Sequence, residues 1–165
     1  MKTVLNIIFL FLFISCDNKD YEVSYEKVKK FRINKDHSNA IVELKKILNS
    51  NIKFYQKDET YFTLAEIYLN DIRDYYKSIE YYSYVSDKSD FYPKSIFMIG
   101  YIYSNNLNEY TQAFKYYNAF KNQFSNHELY SSVLYELELL DKHENIIDSL
   151  NAIAYKRKKI HEKKW

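Results

Sequence analysis

The sequence predicts an all-α protein built from repeated helical hairpins, and three observations carry this prediction. The 165 residues contain one glycine, Gly100, and one proline, Pro93, whereas β-rich and α/β proteins need such residues in many turns. Apolar residues recur three and four positions apart over most of residues 21–151, which is the spacing of one helix face. The chain also resembles itself at an offset of 35 residues, a period typical of a helical-hairpin solenoid.

The N-terminal residues 1–15 are expected to be an export signal that is removed. Lys2 precedes an apolar run from Val4 to Ile14. As a helix this run would span roughly 16 Å, about half of a bilayer core, so a permanent transmembrane helix is the weaker interpretation.

The only cysteine, Cys16, follows this run after the single residue Ser15. Together with Ser15 it resembles the end of the lipobox of bacterial lipoproteins. The resemblance implies that Cys16 is acylated as the first residue of the mature protein and that residues 16–20 form a lipid-anchored tether. The alternative is a plain secretory peptide with an incidental cysteine, although an exported lone thiol has no disulfide partner.

Two successive units define the repeat. Small residues are expected where the two helices of a hairpin approach closely, and aromatic residues are expected to fill the space between the helices. At the offset of 35, Leu64 aligns with Ile99, Ala65 with Gly100, Tyr68 with Tyr103, Asp74 with Glu109, Ser78 with Ala113, Tyr82 with Tyr117 and Val85 with Phe120.

The flanking segments predict further elements. A weaker hairpin is expected before these units, from a helix over 24–33 and the apolar residues Ala40, Ile41, Leu44 and Ile47. Pro93 suits the first turn of a helix. A later helix is predicted from Ser125, which has capping-box spacing to Glu128. Its apolar stripe is Tyr130, Leu134, Leu137 and Leu140, and the end of the stack is assigned to Ile146, Ile147, Leu150 and Ile153.

This pattern resembles the tetratricopeptide repeat, most closely through Ile99, Gly100, Tyr103, Ala113 and Tyr117. The resemblance implies a right-handed solenoid of about three hairpins over residues 21–155, with a C-terminal capping helix. Both units run one residue longer than the standard repeat of about 34. We expect the additional residue in the loop between the two helices of each hairpin.

Residues 91–142 resemble a narrower group of repeat-containing envelope lipoproteins. The group is related to the BamD component of the outer-membrane β-barrel assembly machine and to the periplasmic cell-division coordinator. The matching segments are Tyr92-Pro93-Lys94-Ser95, Ile99-Gly100-Tyr101-Ile102-Tyr103, Tyr116-Tyr117 and His127-Glu128-Leu129. The resemblance implies a lipid-anchored, periplasm-facing scaffold at the outer membrane that binds an envelope protein or an extended peptide.

No constellation of residues indicates catalysis. The four histidines are too far apart for zinc-ligand spacing, and one glycine cannot build a phosphate loop or a nucleophile elbow. We therefore expect no enzyme, no metal and no cofactor. A net charge of +2 favours no nucleic-acid partner. The basic tail over 156–165 contains six basic residues, which suit a helix C-terminus or, in the alternative, an anionic lipid surface.

A protein-binding groove is the functional site that the repeat resemblance implies. Counting from Ala65 and Gly100, the first helix of each hairpin would present aromatic, amide and carboxylate side chains that hold an extended peptide. The alternative for the two phenylalanines is packing against neighbouring helices. A second class of function is a helical-repeat lipoprotein that binds a glycan or small ligand. The predicted groove residues are Phe62, Glu66, Asn70, Phe97, Tyr101 and Asn105.

Overall fold

The computed structural model describes residues 20–143 together with residues 145 and 153, and this part of the chain is helical without strands. The predicted all-α class is confirmed for it. The export signal, Cys16, Ile146, Ile147, Leu150 and the basic tail lie outside the described residues. Among those that are described, no helix combines the length and the apolar character that a membrane span requires.

Seven α-helices follow one another along the described chain. Helix α1 covers 20–33, and so is present before the predicted start at Ser24. The last helix, α7, covers 130–143. Between them lie α2 (His37–Leu48), α3 (Phe54–Glu66), α4 (Tyr75–Ser83), α5 (Tyr92–Tyr101) and α6 (Tyr110–Gln123), with π-helical turns after α3 (Ile67–Ile72) and after α5 (Ile102–Asn106).

The chain divides after Met98 into two compact units. In the first, the residues predicted for the early hairpin form the core, since Ala40 and Leu44 are fully buried and Ile47 is 4% exposed. The close approach predicted at small residues is also present, because Ser78 Oγ donates a hydrogen bond to the carbonyl of Ala65 across 2.9 Å.

The second unit repeats the arrangement with different side chains. Ala113, Tyr117 and Phe120 are fully buried along α6. Gly100 lies directly against the ring of Tyr117, so that a Cβ atom added at Gly100 would be 2.8 Å from Tyr117 Cε1. The predicted packing roles of the small and aromatic positions therefore hold within each unit.

The π-helical turns explain the 35-residue period and correct one expectation. The turns begin at Ile67 and Ile102, which are both fully buried and are 35 residues apart. In the second turn, the N–H of Leu107 bonds to the carbonyl of Ile102, five residues back, at 3.1 Å. A π-turn holds one more residue than an α-turn. The additional residue of each repeat thus lies at the end of the first helix. The sequence analysis had placed it in the loop between the two helices, and that prediction was wrong.

A left-handed residue and an acidic residue then start the next helix. Arg73 (φ 64°) precedes Asp74, and Asn108 (φ 57°) precedes Glu109. The Asp74 carboxylate accepts the N–H of Lys77 at 3.1 Å, which is an ordinary N-cap hydrogen bond. The first hairpin uses the same device, with Lys35 (φ 58°) before the N-cap Asp36.

The last helix departs from the prediction at its start and on its face. It begins at residue 130, not at Ser125: residues 125–129 form a turn in which His127 Nδ1 accepts the N–H of Leu129 at 3.1 Å. The buried stripe is Val133, Leu137 and Leu140. Leu134 was expected on this stripe but is 41% exposed, and Ile153, predicted to close the stack, is 48% exposed.

Candidate binding surface

The predicted groove residue Phe62 is not available to a partner. Its side chain is 5% exposed, and its ring lies 5.2 Å from the ring of Tyr82 and 5.1 Å from that of Phe91, measured between centroids. The ammonium of Lys94 lies 5.1 Å from the Phe62 ring centroid. Phe62 therefore packs against neighbouring side chains, as the alternative in the sequence analysis stated, and its assignment to the groove was wrong.

Glu66 and Asn70 do reach the surface of the first unit. The Glu66 carboxylate lies 3.8 Å from Arg32 Nη1 of α1, and Arg32 Nε also donates to Asp71 at 3.3 Å. Asn70 is exposed within the first π-turn. This part of the predicted face is therefore a polar seam between α1 and the end of α3.

The other three predicted residues lie along α5 and the second π-turn. Phe97 is half-buried, whereas Tyr101 is 37% exposed and Asn105 is exposed. The amide of Asn105 donates to the carbonyl of Tyr101 at 3.3 Å. Within the second unit, Tyr101 and Asn105 thus present one aromatic and one amide side chain next to each other.

A cleft of about 320 Å³ opens at the other end of the α1–α3 seam, and the sequence did not predict it. Three tyrosines and three glutamates dominate its wall. These are Tyr21, Tyr25, Tyr55, Glu22, Glu26 and Glu59. We call this site the α1–α3 cleft.

Hydrogen bonds between the two helices fix the inner wall of the α1–α3 cleft. Tyr21 Oη donates to the Glu59 carboxylate at 2.9 Å, and Tyr25 Oη donates to the Glu59 carbonyl at 3.1 Å and contacts Thr63 Oγ1. The two tyrosine rings are 5.1 Å apart. Burial raises the pKa of Tyr21 and of Tyr25, and so both phenols remain protonated donors at neutral pH.

The charge of the cleft is negative. Lys29 is its one cationic lining residue, and its ammonium lies 2.6 Å from the carboxylate of Glu26. Glu22 is exposed, and within the described chain neither it nor Glu59 lies in an ion pair. Two carboxylates therefore face this space without a paired cation.

A second cleft of about 280 Å³, on the other side of Tyr21, has a different electrostatic character. Its carboxylate Glu43 lies 3.3 Å from Lys46 and 3.7 Å from Lys27. Desolvation raises the pKa of the Glu43 carboxyl, but the nearby Lys46 and Lys27 lower it by more, so the pKa lies below its ordinary value. The Glu43 charge is thus already neutralised within the chain, and Asp20 is the other acidic lining residue. We do not assign a ligand to this cleft.

The sequence contains only part of the signal for the α1–α3 cleft. Tyr21 and Tyr25 are four residues apart, and this spacing places them on one helix face. Tyr55 and Glu59 have the same spacing on α3, but only the packing of α3 against α1 brings the two pairs together. Across the described ranges, no group of three or more acidic, histidine or cysteine side chains could hold a metal ion.

Comparison with known proteins adds no family to this description. No family model matches the chain, and no curated protein matches it significantly.

Proposed function

We propose that this protein is a lipid-anchored interaction scaffold of the bacterial cell envelope that binds a segment of a partner protein. In this proposal Cys16 carries the acyl anchor, the hairpins continue as a right-handed solenoid of the tetratricopeptide type, and the protein faces the periplasm from the outer membrane. The proposed role is binding, with no chemical step.

The observation that carries the proposal is the α1–α3 cleft with the polar seam beside it. Tyrosine side chains offer large contact area with few rotatable bonds, which is why they are enriched where proteins bind one another. Here they stand beside carboxylates. Glu66 and Asn70, at the polar seam, offer a carboxylate and an amide that can bond to an extended backbone.

Aromatic stacking between helices recurs within each unit. Tyr68 stacks on Tyr81 with ring centroids 5.3 Å apart, and Tyr103 stacks on Tyr116 at 5.7 Å. The two stacks occupy equivalent positions of the repeat. A scaffold that holds its side chains in place before binding loses less conformational entropy when the partner docks.

Site-specific crosslinking tests the binding role. A photoreactive phenylalanine analogue is placed at Tyr55 or at Asn70, with Lys45 on the exposed side of α2 as the matched control. We expect both surface positions to give an adduct with the same envelope protein and the control to give none. Equal adducts from all three positions, or none, would contradict the proposal. Retention on polysaccharide without an adduct would favour the glycan-binding alternative.

The anchor is tested separately. Cys16→Ser should release the protein from membranes and abolish a mass increase due to acyl chains, since each buried CH₂ contributes about 0.8 kcal/mol to anchoring. Membrane retention of the serine variant, or an unmodified mass in the wild type, would contradict a lipid anchor without affecting the crosslinking result.

A further inference from the structure

We infer that the α1–α3 cleft binds a lysine or arginine side chain of the partner segment. This inference rests on the proposed function, because it names the chemistry that the proposed binding surface recognises. The surface has the two features that a bound cation requires, aromatic rings and unneutralised carboxylates, together with a concave space that can hold a side chain.

The aromatic contribution comes from rings that line the cleft. Tyr55 is 54% exposed, and Tyr21 and Tyr25 form the opposite wall on α1. A cation over a tyrosine face is attracted by the ring quadrupole. The chain itself already uses this contact, because Lys53 places its ammonium 5.9 Å from the Tyr55 ring centroid.

The carboxylates supply the charge. Glu26 forms the cleft's ion pair with Lys29, whose charge also acts on Glu59, while neither Glu22 nor Glu59 has an ion pair of its own among the described residues. Glu59 is held in place by the hydrogen bond from Tyr21, so its position is set before any ligand arrives. An incoming cation would complete this arrangement, whereas an acidic segment would be repelled by it.

The volume is sufficient for one long side chain. The cleft is about 320 Å³, at the lower end of the range of small-molecule sites, and it lies between the same two helices, α1 and α3, as the polar seam marked by Glu66. A lysine or arginine stem would lie along the tyrosine rings with its charged group at the carboxylates.

Peptide binding to the purified protein tests the inference by fluorescence anisotropy. The probes are three labelled peptides that alternate glycine with lysine, with glutamine or with glutamate. The site variant is Glu22→Gln with Glu59→Gln. The matched control is Asp87→Asn with Asp90→Asn, which removes the same two charges from exposed positions of the first unit. Urea unfolding of each variant verifies that it is folded.

We expect the lysine peptide alone to bind, and its Kd to rise about fivefold or more in the site variant, which corresponds to two weak ion pairs. The control variant should bind like the wild type, and added salt should weaken binding. Tyr55→Leu should weaken it as well, while Tyr76→Leu, at a 63% exposed position on α4, should not.

Three results would overturn the inference: equal binding of the glutamine peptide, equal weakening by the control variant, or no binding of the lysine peptide. If the site variant is unfolded, Tyr55→Leu and Tyr76→Leu decide the same question. The crosslinking experiment does not depend on peptide charge. Adducts at Tyr55 and Asn70 without lysine-peptide binding would therefore leave the scaffold in place and reject only the cationic ligand.

Discussion

Replacing Gly100 by alanine should destabilise the protein, although the same change in an ordinary helix stabilises it. Gly100 is buried inside α5, where alanine is normally preferred by about 1 kcal/mol. The added methyl group, however, would lie 2.8 Å and 2.9 Å from two ring carbons of Tyr117. Tyr117 is fully buried, so its ring cannot swing into solvent to make room.

The sign of the effect follows from comparing two magnitudes. Overpacking a well-filled core costs about 1–3 kcal/mol, which exceeds the gain of about 1 kcal/mol in helix propensity. We therefore expect Gly100→Ala to lower the free energy of unfolding by about 1 kcal/mol. The bulkier Gly100→Leu should lower it further. Ala65→Gly, at the equivalent position of the other unit, should also be destabilising, because it loses propensity and leaves a void.

Urea unfolding followed by circular dichroism at 222 nm measures these changes as shifts of the midpoint. Lys115→Leu, at an exposed position of α6, is the control and should shift it little. Measuring Gly100→Ala also in a Tyr117→Leu background separates the steric clash with the ring from the change in helix propensity. Without the ring, Gly100→Ala should cost less stability. A midpoint for Gly100→Ala at or above that of the wild type would refute the packing described for this position.

Three further changes test local features, each by its urea midpoint. Arg73→Asn should stabilise by up to about 1 kcal/mol, because a left-handed φ is strained for arginine and tolerated by asparagine; an unchanged or lower midpoint would contradict this strain. Ser78→Ala should lower the free energy of unfolding by about 1 kcal/mol, because it loses the hydrogen bond to the Ala65 carbonyl. An unchanged midpoint would show that this bond does not contribute to stability. Asp58→Ala should cost about 1–3 kcal/mol, since the buried carboxylate accepts the N–H of Ser86 at 3.0 Å, while Asp58→Asn keeps an acceptor and should cost less.

The sequence predicts the helical elements and their packing positions well, because periodicity is a local signal and the repeat tests it twice. Tyr82 and Tyr117 were expected between helices, and both are buried. The small residue at Ser78 was expected at a close approach, and it bonds directly to the neighbouring helix. Equivalent residues of the two repeats had to be given the same packing role, so each repeat checked the assignment made in the other.

The exposed face was harder to predict, because exposure depends on tertiary neighbours that no spacing specifies. Phe62 was placed in a groove by counting along one helix, but Tyr82 and Phe91 cover it. Leu134 fitted a helical stripe, yet the neighbouring residue Val133 is the one that is buried. The α1–α3 cleft depends on a contact between separate helices and has no single-helix pattern.

The π-turns show why the repeat can be one residue longer without losing its packing. A residue inserted into an α-helix rotates everything after it by about 100°, which would turn the buried face toward solvent. The wider π-turn takes up this residue at the end of the first helix, and the left-handed residue that follows leads to an acidic residue at the N-cap position, Asp74 or Glu109.

The helices that follow the two π-turns bury equivalent positions of the repeat. After the first π-turn, α4 buries Ser78 and Tyr82; after the second, α6 buries Ala113 and Tyr117 at the equivalent positions. A loop insertion would leave the turns free to differ, but here the carbonyl of Tyr68 accepts the N–H of Asp74 at 2.9 Å and its counterpart Tyr103 accepts that of Glu109 at 2.8 Å. The additional residue of the 35-residue period is therefore held by the same hydrogen bonding at the helix end in both repeats.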